Sequence, residues 1–222
     1  MKSLSRRTLL LTAIGGYLAS WLPGWAQARA PDTEWRNYAG DPANTRYAPL
    51  DQIHAGNFND LEIAWRFKAG SLGPYPEFLE QCTPLVVKGR LYATAGSRRA
   101  VVCLNAATGE ILWKHSEDEG ARADASPRKY SGRGVAYWTD GKDERILYVT
   151  TGYRLIALDA HTGAPVRSFG VDGIVDLKEN DDQIIDLVNG QVGLHATPIV
   201  AKNVVIVGAA HPAGDVPKRS FG

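Results

Sequence analysis

The chain has 222 residues, with 25 Lys+Arg against 24 Asp+Glu, 23 glycines, 6 tryptophans and 2 cysteines. Near-balanced charge without a polybasic block argues against a nucleic-acid partner. The length suits one or two domains with a sizeable core, and the glycine and tryptophan content suits an all-β chain rich in tight turns.

The first 30 residues read as a targeting segment. Lys2, Arg6 and Arg7 precede an apolar run over residues 9–25, broken by Gly15, Gly16 and Pro23, and "AQARA" follows with small residues at Ala26, Ala28 and Ala30. A positive start, an apolar middle and a small-x-small end describe a secretory signal peptide, with cleavage after Ala28 or Ala30. The paired arginines of "SRRTLLL" (residues 5–11) resemble a twin-arginine export signal, which implies a periplasmic destination. A retained membrane anchor is the other reading, but the run is short for a span and carries two glycines. Removing residues 1–30 takes away Lys2, Arg6, Arg7 and Arg29 and no acid, leaving 21 basic against 24 acidic residues, a net charge of −3.

Residues 61–70, "LEIAWRFKAG", alternate Ile63, Trp65 and Phe67 on one face and predict a strand with no strands of its own unit before it. From residue 83 the sequence repeats itself. "LNAATGEILW" (104–113) recurs as "LDAHTGAPVR" (158–167), 54 residues later, and "TPLVV" at Thr83 recurs as "TPIVA" at Thr197, 114 residues later. "GRLYATAG" (89–96), "RILYVTTG" (145–152) and "NVVIVGAA" (203–210) are three versions of one β-rich strand. One unit therefore runs as an opening strand near Thr-Pro, a turn, a strongly β strand, a third strand ("VVCLNA" or "LIALDA"), the "ATG" or "HTG" turn, and a fourth strand. Asn105 or Asp159 can accept from the backbone two residues on, and Gly109 or Gly163 can take positive φ. Four short antiparallel strands with a period near 54 predict a β-propeller blade. A parallel β-helix would repeat faster, and an immunoglobulin-like sandwich would not repeat its turn. Trp113 falls on the fourth, outer strand, where a flat side chain fills the seam between blades. In the second unit that position is Arg167, which predicts a seam packed differently.

The pattern L-x-A-x-T-G-x-x-x-W resembles the tryptophan-docking repeat of quinoprotein dehydrogenases, enzymes that use pyrroloquinoline quinone (PQQ). Residues 35–67, "WRNYAGDPANTRYAPLDQIHAGNFNDLEIAWRF", resemble the N-terminal signature of that family, and so does "SGRGVAYW" (131–138). The resemblance implies an all-β, eight-bladed propeller, of which about two and a half blades are present over residues 31–222. Methanol and alcohol dehydrogenases of this kind carry adjacent cysteines just before "RG"; here "ADASPRKYSGRG" (123–134) has none. That absence, and the resemblance of "RLIALDAHTGAPVRSFGVDGIVDL" (154–177) to membrane-type glucose dehydrogenases, point to an aldose or polyol oxidase. Cys82 on the first strand and Cys103 on the third would lie about 10 Å apart in a meander, too far to bridge, so two free buried thiols are expected.

PQQ is a flat tricarboxylate that needs cations and hydrogen-bond donors at its rim and apolar faces above and below. A Ca²⁺ ion beside its reactive carbonyl acts as Lewis acid in hydride transfer. By resemblance, Arg133 is the family's cofactor-binding arginine, with Gly132 and Gly134 allowing close approach; a surface turn charge is the bland alternative. Gln81 stands where the family has a glutamate or polar residue before Thr-Pro, or is an ordinary strand-end amide. Thr150 or Thr151 matches a threonine that contacts the quinone; Thr151 fits the spacing to Leu155 and Asp159 better, while simple β propensity explains either. Asp215 is the one carboxylate in the loop of residues 211–222 where the family draws a metal ligand, and its spacing leaves it unassigned. His195 and His211 lack ligand-pair spacing, so no metal residue is assigned. No Ser-His-Asp order or phosphate-binding loop appears, and no helix pattern follows "GRG".

Eight blades of about 55 residues need more than roughly 440 residues. The sequence thus reads as the N-terminal part of such an enzyme, from a truncated gene or incomplete gene model, with the family's catalytic aspartate and further ligands downstream. An open arc would expose strand edges and apolar faces, so marginal stability and no turnover by this chain alone are expected. As a whole protein, the expectation is a PQQ- and Ca²⁺-dependent dehydrogenase in the periplasm. It would oxidise a sugar or alcohol and pass electrons to a membrane quinone or cytochrome. The alternative is a non-catalytic periplasmic propeller scaffold or an inactive relic.

Overall fold

The turn that repeats in the sequence repeats in space. Asn105 Oδ1 accepts from Ala107 N at 2.9 Å and Thr108 N at 3.3 Å, and Asp159 Oδ1 accepts from His161 N at 3.0 Å and Thr162 N at 2.8 Å. Gly109 N donates to Asn105 O at 2.8 Å and Gly163 N to Asp159 O at 2.9 Å, with φ of 74° and 72°. Both glycines sit in the left-handed region that a side chain resists. The computed structural model describes residues 34–70, 72–74, 80–127, 129, 133–181, 183–194 and 196–212. The expected signal segment, Gly132, His195 and Asp215 lie outside them.

Each turn belongs to a four-stranded antiparallel sheet. The first is β1 (Leu85–Val87), β2 (Arg90–Ala95), β3 (Ala100–Asn105) and β4 (Ile111–His115), paired in chain order. The short helix α1 (Ala121–Asp124) leads to the second, β5 (Ala136–Thr139), β6 (Glu144–Val149), β7 (Arg154–Asp159) and β8 (Ile174–Asp176), again in chain order. A hairpin of β9 (Ile199–Ala201) and β10 (Val204–Ile206) follows. Consecutive pairing and the Thr-Pro openings before β1 and β9 match the predicted meander, and the architecture is all-β, with antiparallel sheets and almost no helix.

Both faces of each sheet are covered, so the middle strands are apolar without alternation, as a strand buried on two sides must be. Tyr92, Val101, Cys103 and Trp113 of the first sheet meet Ile146, Tyr148, Ile156 and Leu158 of the second in one core. The opposite parity of the second sheet, Leu147, Val149, Leu155 and Ala157, packs with Leu194, Val200 and Val205. That of the first, Ala95, Val102 and Leu104, packs with Trp65, Phe67 and Ala69. Layered sheets with sequential cores are the packing of propeller blades.

Trp113 is the hinge pin between sheets. Its indole Nε1 donates to Ala160 O at 3.0 Å, the Tyr92 hydroxyl donates to the same carbonyl at 3.1 Å, and the rings lie 6.0 Å apart. A Cβ on Gly163 would stand 2.5 Å from the Trp113 ring, so the glycine is required by the docked indole as well as by its φ. Trp65 docks the same way on the first turn: Nε1 donates to Ala106 O at 3.1 Å, and a Cβ on Gly109 would be 2.6 Å from its ring. Residues 61–69 thus occupy the place of a preceding fourth strand, yet they form no β-ladder among the described residues. Ile63 faces solvent, and the inward face is Trp65, Phe67 and Ala69.

Two sequence expectations need correction. The fourth strand of the second unit is not "APVR". Residue Pro165 makes only an isolated bridge to Leu158, because proline has no N–H for a ladder. The chain then loops through residues 167–173 before β8 pairs with the other end of β7, and Arg167 is exposed. Cys82 is not on the first strand; it precedes β1 and is only partly buried, whereas Cys103 is fully buried. Both thiols are free, as expected.

Candidate functional site

The segments that enter the first strands of successive units converge. Arg133, just before β5, is 6% exposed, and its Nη1 donates to Gln81 Oε1, just before β1. Thr197, just before β9, donates its hydroxyl to Arg133 O. Gly134 follows Arg133 with φ of 84°, its N–H donating to Thr94 Oγ1 at 2.9 Å; a Cβ there would meet the Thr197 side chain at 3.4 Å. The repeat explains the meeting, since equivalent points of three units are brought to one place.

These residues wall an open cavity of about 440 Å³ lined by Tyr38, Gln81, Arg133, Ala196, Thr197 and Ile199, within the size of small-molecule sites. It offers a buried guanidinium, an amide and a hydroxyl beside an aromatic ring and aliphatic carbon. Gln81 and Arg133, two of the three residues expected at the cofactor, are thus in contact. Thr151 does not line this cavity. It lies at the end of β6, 4% exposed, with its hydroxyl buried and without a hydrogen-bond partner among the described residues. Thr150 is already committed, donating to Glu119 Oε1 at 2.9 Å and accepting from Arg154 N at 3.0 Å.

Arg99 connects the two places. It sits in the β2–β3 turn with φ of 52°, is 1% exposed, and donates to Thr150 O at 3.3 Å and Leu194 O at 3.4 Å. Burial, and then the neighbouring charge of Arg133, pull its pKa down to about 10, with Glu119 opposing. Two guanidiniums buried near enough to repel create a positive potential suited to an anion. A planar tricarboxylate fits the donor set of this cavity: a buried cation at Arg133, an amide at Gln81, and a glycine at 134 that lets backbone come close.

A metal does not find the same support. Among the described residues no three His, Cys, Asp or Glu side chains converge to hold one, and His211 is exposed. The carboxylates near the site are engaged elsewhere. Glu119 accepts from Thr150, Gly152 and Arg154, and Asp176 forms a bidentate pair with Arg122.

Sequence reasoning did not single out Tyr38, Arg99, Glu119 or Thr197 for the site. Thr197 had a signal, since its Thr-Pro repeats Thr83-Pro84. Glu119 had none, being one of three acids in "EDEG", and a buried arginine in a turn has no sequence mark.

Comparison with known proteins places this arrangement. The family model for the β-propeller domain of PQQ-dependent glucose, ethanol and alcohol dehydrogenases matches residues 35–220. The alcohol dehydrogenase (quinone) dehydrogenase subunit of Gluconacetobacter polyoxogenes is 35% identical over 175 residues, 78% of this chain and 21% of that protein. The glycerol dehydrogenase large subunit of Gluconobacter oxydans (strain 621H) is 30% identical over 184 residues, 78% of this chain and 24% of the relative. The quinoprotein glucose dehydrogenase of Escherichia coli (strain K12) is 28% identical, covering 88% of this chain and 26% of that protein. The crystal structure of quinohemoprotein alcohol dehydrogenase from Comamonas testosteroni superposes with a TM-score of 0.63 at 28% identity, over 80% of this chain and 23% of that one. The chain spans about a quarter of the length of the curated relatives it matches.

Proposed function

The chain belongs to the family of PQQ-dependent dehydrogenase β-propellers, and on that premise we propose that it contributes two blades and part of a third to an exported enzyme that oxidises an alcohol or sugar. The observation that carries this reading is the contact of Arg133 with Gln81 at the mouth of a cavity shared by three units. Arg133 would pair with a carboxylate of PQQ and Gln81 would donate its amide beside it; a contact from Thr151, which lies outside this cavity, is proposed from the family resemblance alone. When bound, PQQ supplies acceptance of the two electrons released as a C–H and an O–H of the substrate become a carbonyl. Arg133 would hold its charge in a water-poor setting, where a charge-assisted bond is strongest. Ca²⁺ is proposed from the family resemblance alone.

The substrate class we favour is an aldose or polyol, because residues 123–134 lack the adjacent cysteines of the alcohol branch. Relatives named for glycerol, alcohol and glucose all match, so the choice rests on that absence. A membrane quinone or cytochrome as acceptor, and a periplasmic location set by residues 1–30, complete the proposal. The test is a titration of cofactor-free protein from its native host with PQQ, followed by dye reduction with glucose, glycerol and ethanol. We expect Arg133→Ala to weaken PQQ binding about 100-fold, as for loss of a buried charge-assisted bond. An unchanged affinity would overturn the cofactor reading. Ethanol oxidised in preference to glucose and glycerol would overturn the substrate class.

A further inference from the structure

Residues 34–40 form a short strap that is fastened to both sheets and carries one aromatic ring to the cavity. Trp35 exchanges both backbone bonds with Val86 of β1, at 2.8 and 2.9 Å, and Glu34 Oε1 accepts from Lys88 N at 3.1 Å. The Arg36 guanidinium lies 5.6 Å over the ring of Tyr137 on β5. The strap then reverses in a tight turn, Gly40 N donating to Asn37 O at 3.0 Å, so Tyr38 and Ala39 are its two central residues. The Trp35 indole donates to Tyr38 O at 3.4 Å, Gly40 takes φ of 88°, and a Cβ on it would stand 3.4 Å from the Trp35 ring. Ala39 is buried and anchors the turn. Tyr38 is left 45% exposed, lining the same cavity as Gln81 and Arg133.

That exposure sets Tyr38 apart from Tyr92, Tyr137, Tyr148 and Tyr153, which are all buried in the cores of the sheets. A ring held on a rigid turn loses little freedom when a ligand covers it. The cavity thereby divides by chemistry. Arg133 and Gln81 bring a cation and an amide, and Tyr38 and the exposed Ile199 bring apolar surface. A flat aromatic carboxylate needs both, a polar edge for its carboxylates and an apolar face for its rings. We infer that Tyr38 is a binding residue for the cofactor, its ring covering a face of the flat ring system whose carboxylate Arg133 holds. This rests on the cofactor reading above, and it adds the residue that recognises flatness to the one that recognises charge. The ring and not the hydroxyl carries the role, so phenylalanine should serve in its place and alanine should not.

Two measurements on the cofactor-free protein from its native host test this. In the first, the Kd for PQQ is read by fluorescence titration. Tyr38→Ala should weaken binding about tenfold, the loss of a stacked ring, and Tyr38→Phe should stay within about twofold of wild type. In the second, wild-type protein is nitrated with tetranitromethane and its tyrosines are read by mass spectrometry. Saturating PQQ should protect Tyr38 and leave Tyr47, which is more exposed still and lies outside the cavity lining, unchanged. The inference falls if Tyr38→Ala costs nothing, if Tyr38→Phe costs as much as Tyr38→Ala, or if PQQ protects neither tyrosine or both. In each of those cases the cofactor reading stands if Arg133→Ala still costs about 100-fold. If Arg133→Ala leaves the Kd unchanged, both fall. Should Tyr38→Ala fail to accumulate, the nitration of wild-type protein decides alone.

Discussion

The two sheets share a turn, a strand order and a register, but their fourth strands are fastened by different physics. β4 follows its turn directly and is pinned by an indole that docks on the next sheet through packing and one hydrogen bond to Ala160 O at 3.0 Å. β8 is reached only after the excursion through residues 167–173 and is pinned by an ion pair, Arg122 reaching from the connector to both oxygens of Asp176 at 2.7 and 2.5 Å. The comparison teaches that the repeat specifies the turn, and that whatever follows the turn needs its own anchor. An apolar anchor is indifferent to pH; an ionic one is not.

The sharpest way to break this contrast is to remove each anchor in turn. Trp113→Ala strips a side chain only 8% exposed from the core between the sheets and leaves a cavity. It should cost about 3–5 kcal/mol in urea denaturation, with no dependence on pH between 3 and 7. A cost below about 1 kcal/mol would mean that Trp113 does not hold the seam.

Arg122→Ala should come next, at about 3 kcal/mol, because it takes the bidentate partner from a half-buried Asp176 and leaves only Arg154, 3.8 Å away. Here pH enters. Burial alone would raise the Asp176 carboxyl, but the hydrogen bond from Arg122, the Lys178 N–H and the charges of Arg122 and Arg154 outweigh it, so its pKa lies below the usual 3.8. A group depressed on folding contributes stability that is complete above its unfolded pKa and is lost as pH falls through the folded value. The wild-type protein should therefore loosen around β8 below about pH 3.8, and the Asp176→Asn variant should show a flatter acid limb. Hydrogen exchange at residues 174–176 is the measurement; equal acid sensitivity in wild type and variant would remove the ionic anchor from the account.

What could be read from sequence divides along the same line. The turns were legible because Asn105 and Asp159, Thr and Gly recur at fixed offsets and each has one physical job. The docking tryptophan was legible at 113, and its partner at 65 was visible as an alternating strand. Gln81 and Arg133 could be paired with the site through resemblance, and the structure brings them into contact. The ionic anchor was not legible, since Arg122 and Asp176 are separated by 54 residues and meet only once the sheet has formed. The same holds for Glu119 and the 150–152 turn. Long-range pairs of common charged residues leave no periodic trace, and proline at 165 shifted the strand that periodicity alone would have placed there.

That shift yields the smallest and most discriminating effect. By repeat position Arg167 replaces Trp113, so a tryptophan there ought to restore a missing dock and stabilise the protein by a kilocalorie or more. By structure Arg167 is exposed in the excursion, two residues past the bridge at Pro165. The docking place belongs to whatever follows a continuous fourth strand, and the chain has left that path. Arg167→Trp should therefore change the unfolding free energy measured in urea by no more than about 0.5 kcal/mol, the ordinary range of a surface substitution. A clear gain would mean that the fourth strand can slide back into the repeat's register. The ion pair at β8 would then be one of two competing fastenings, and not the anchor that defines this sheet.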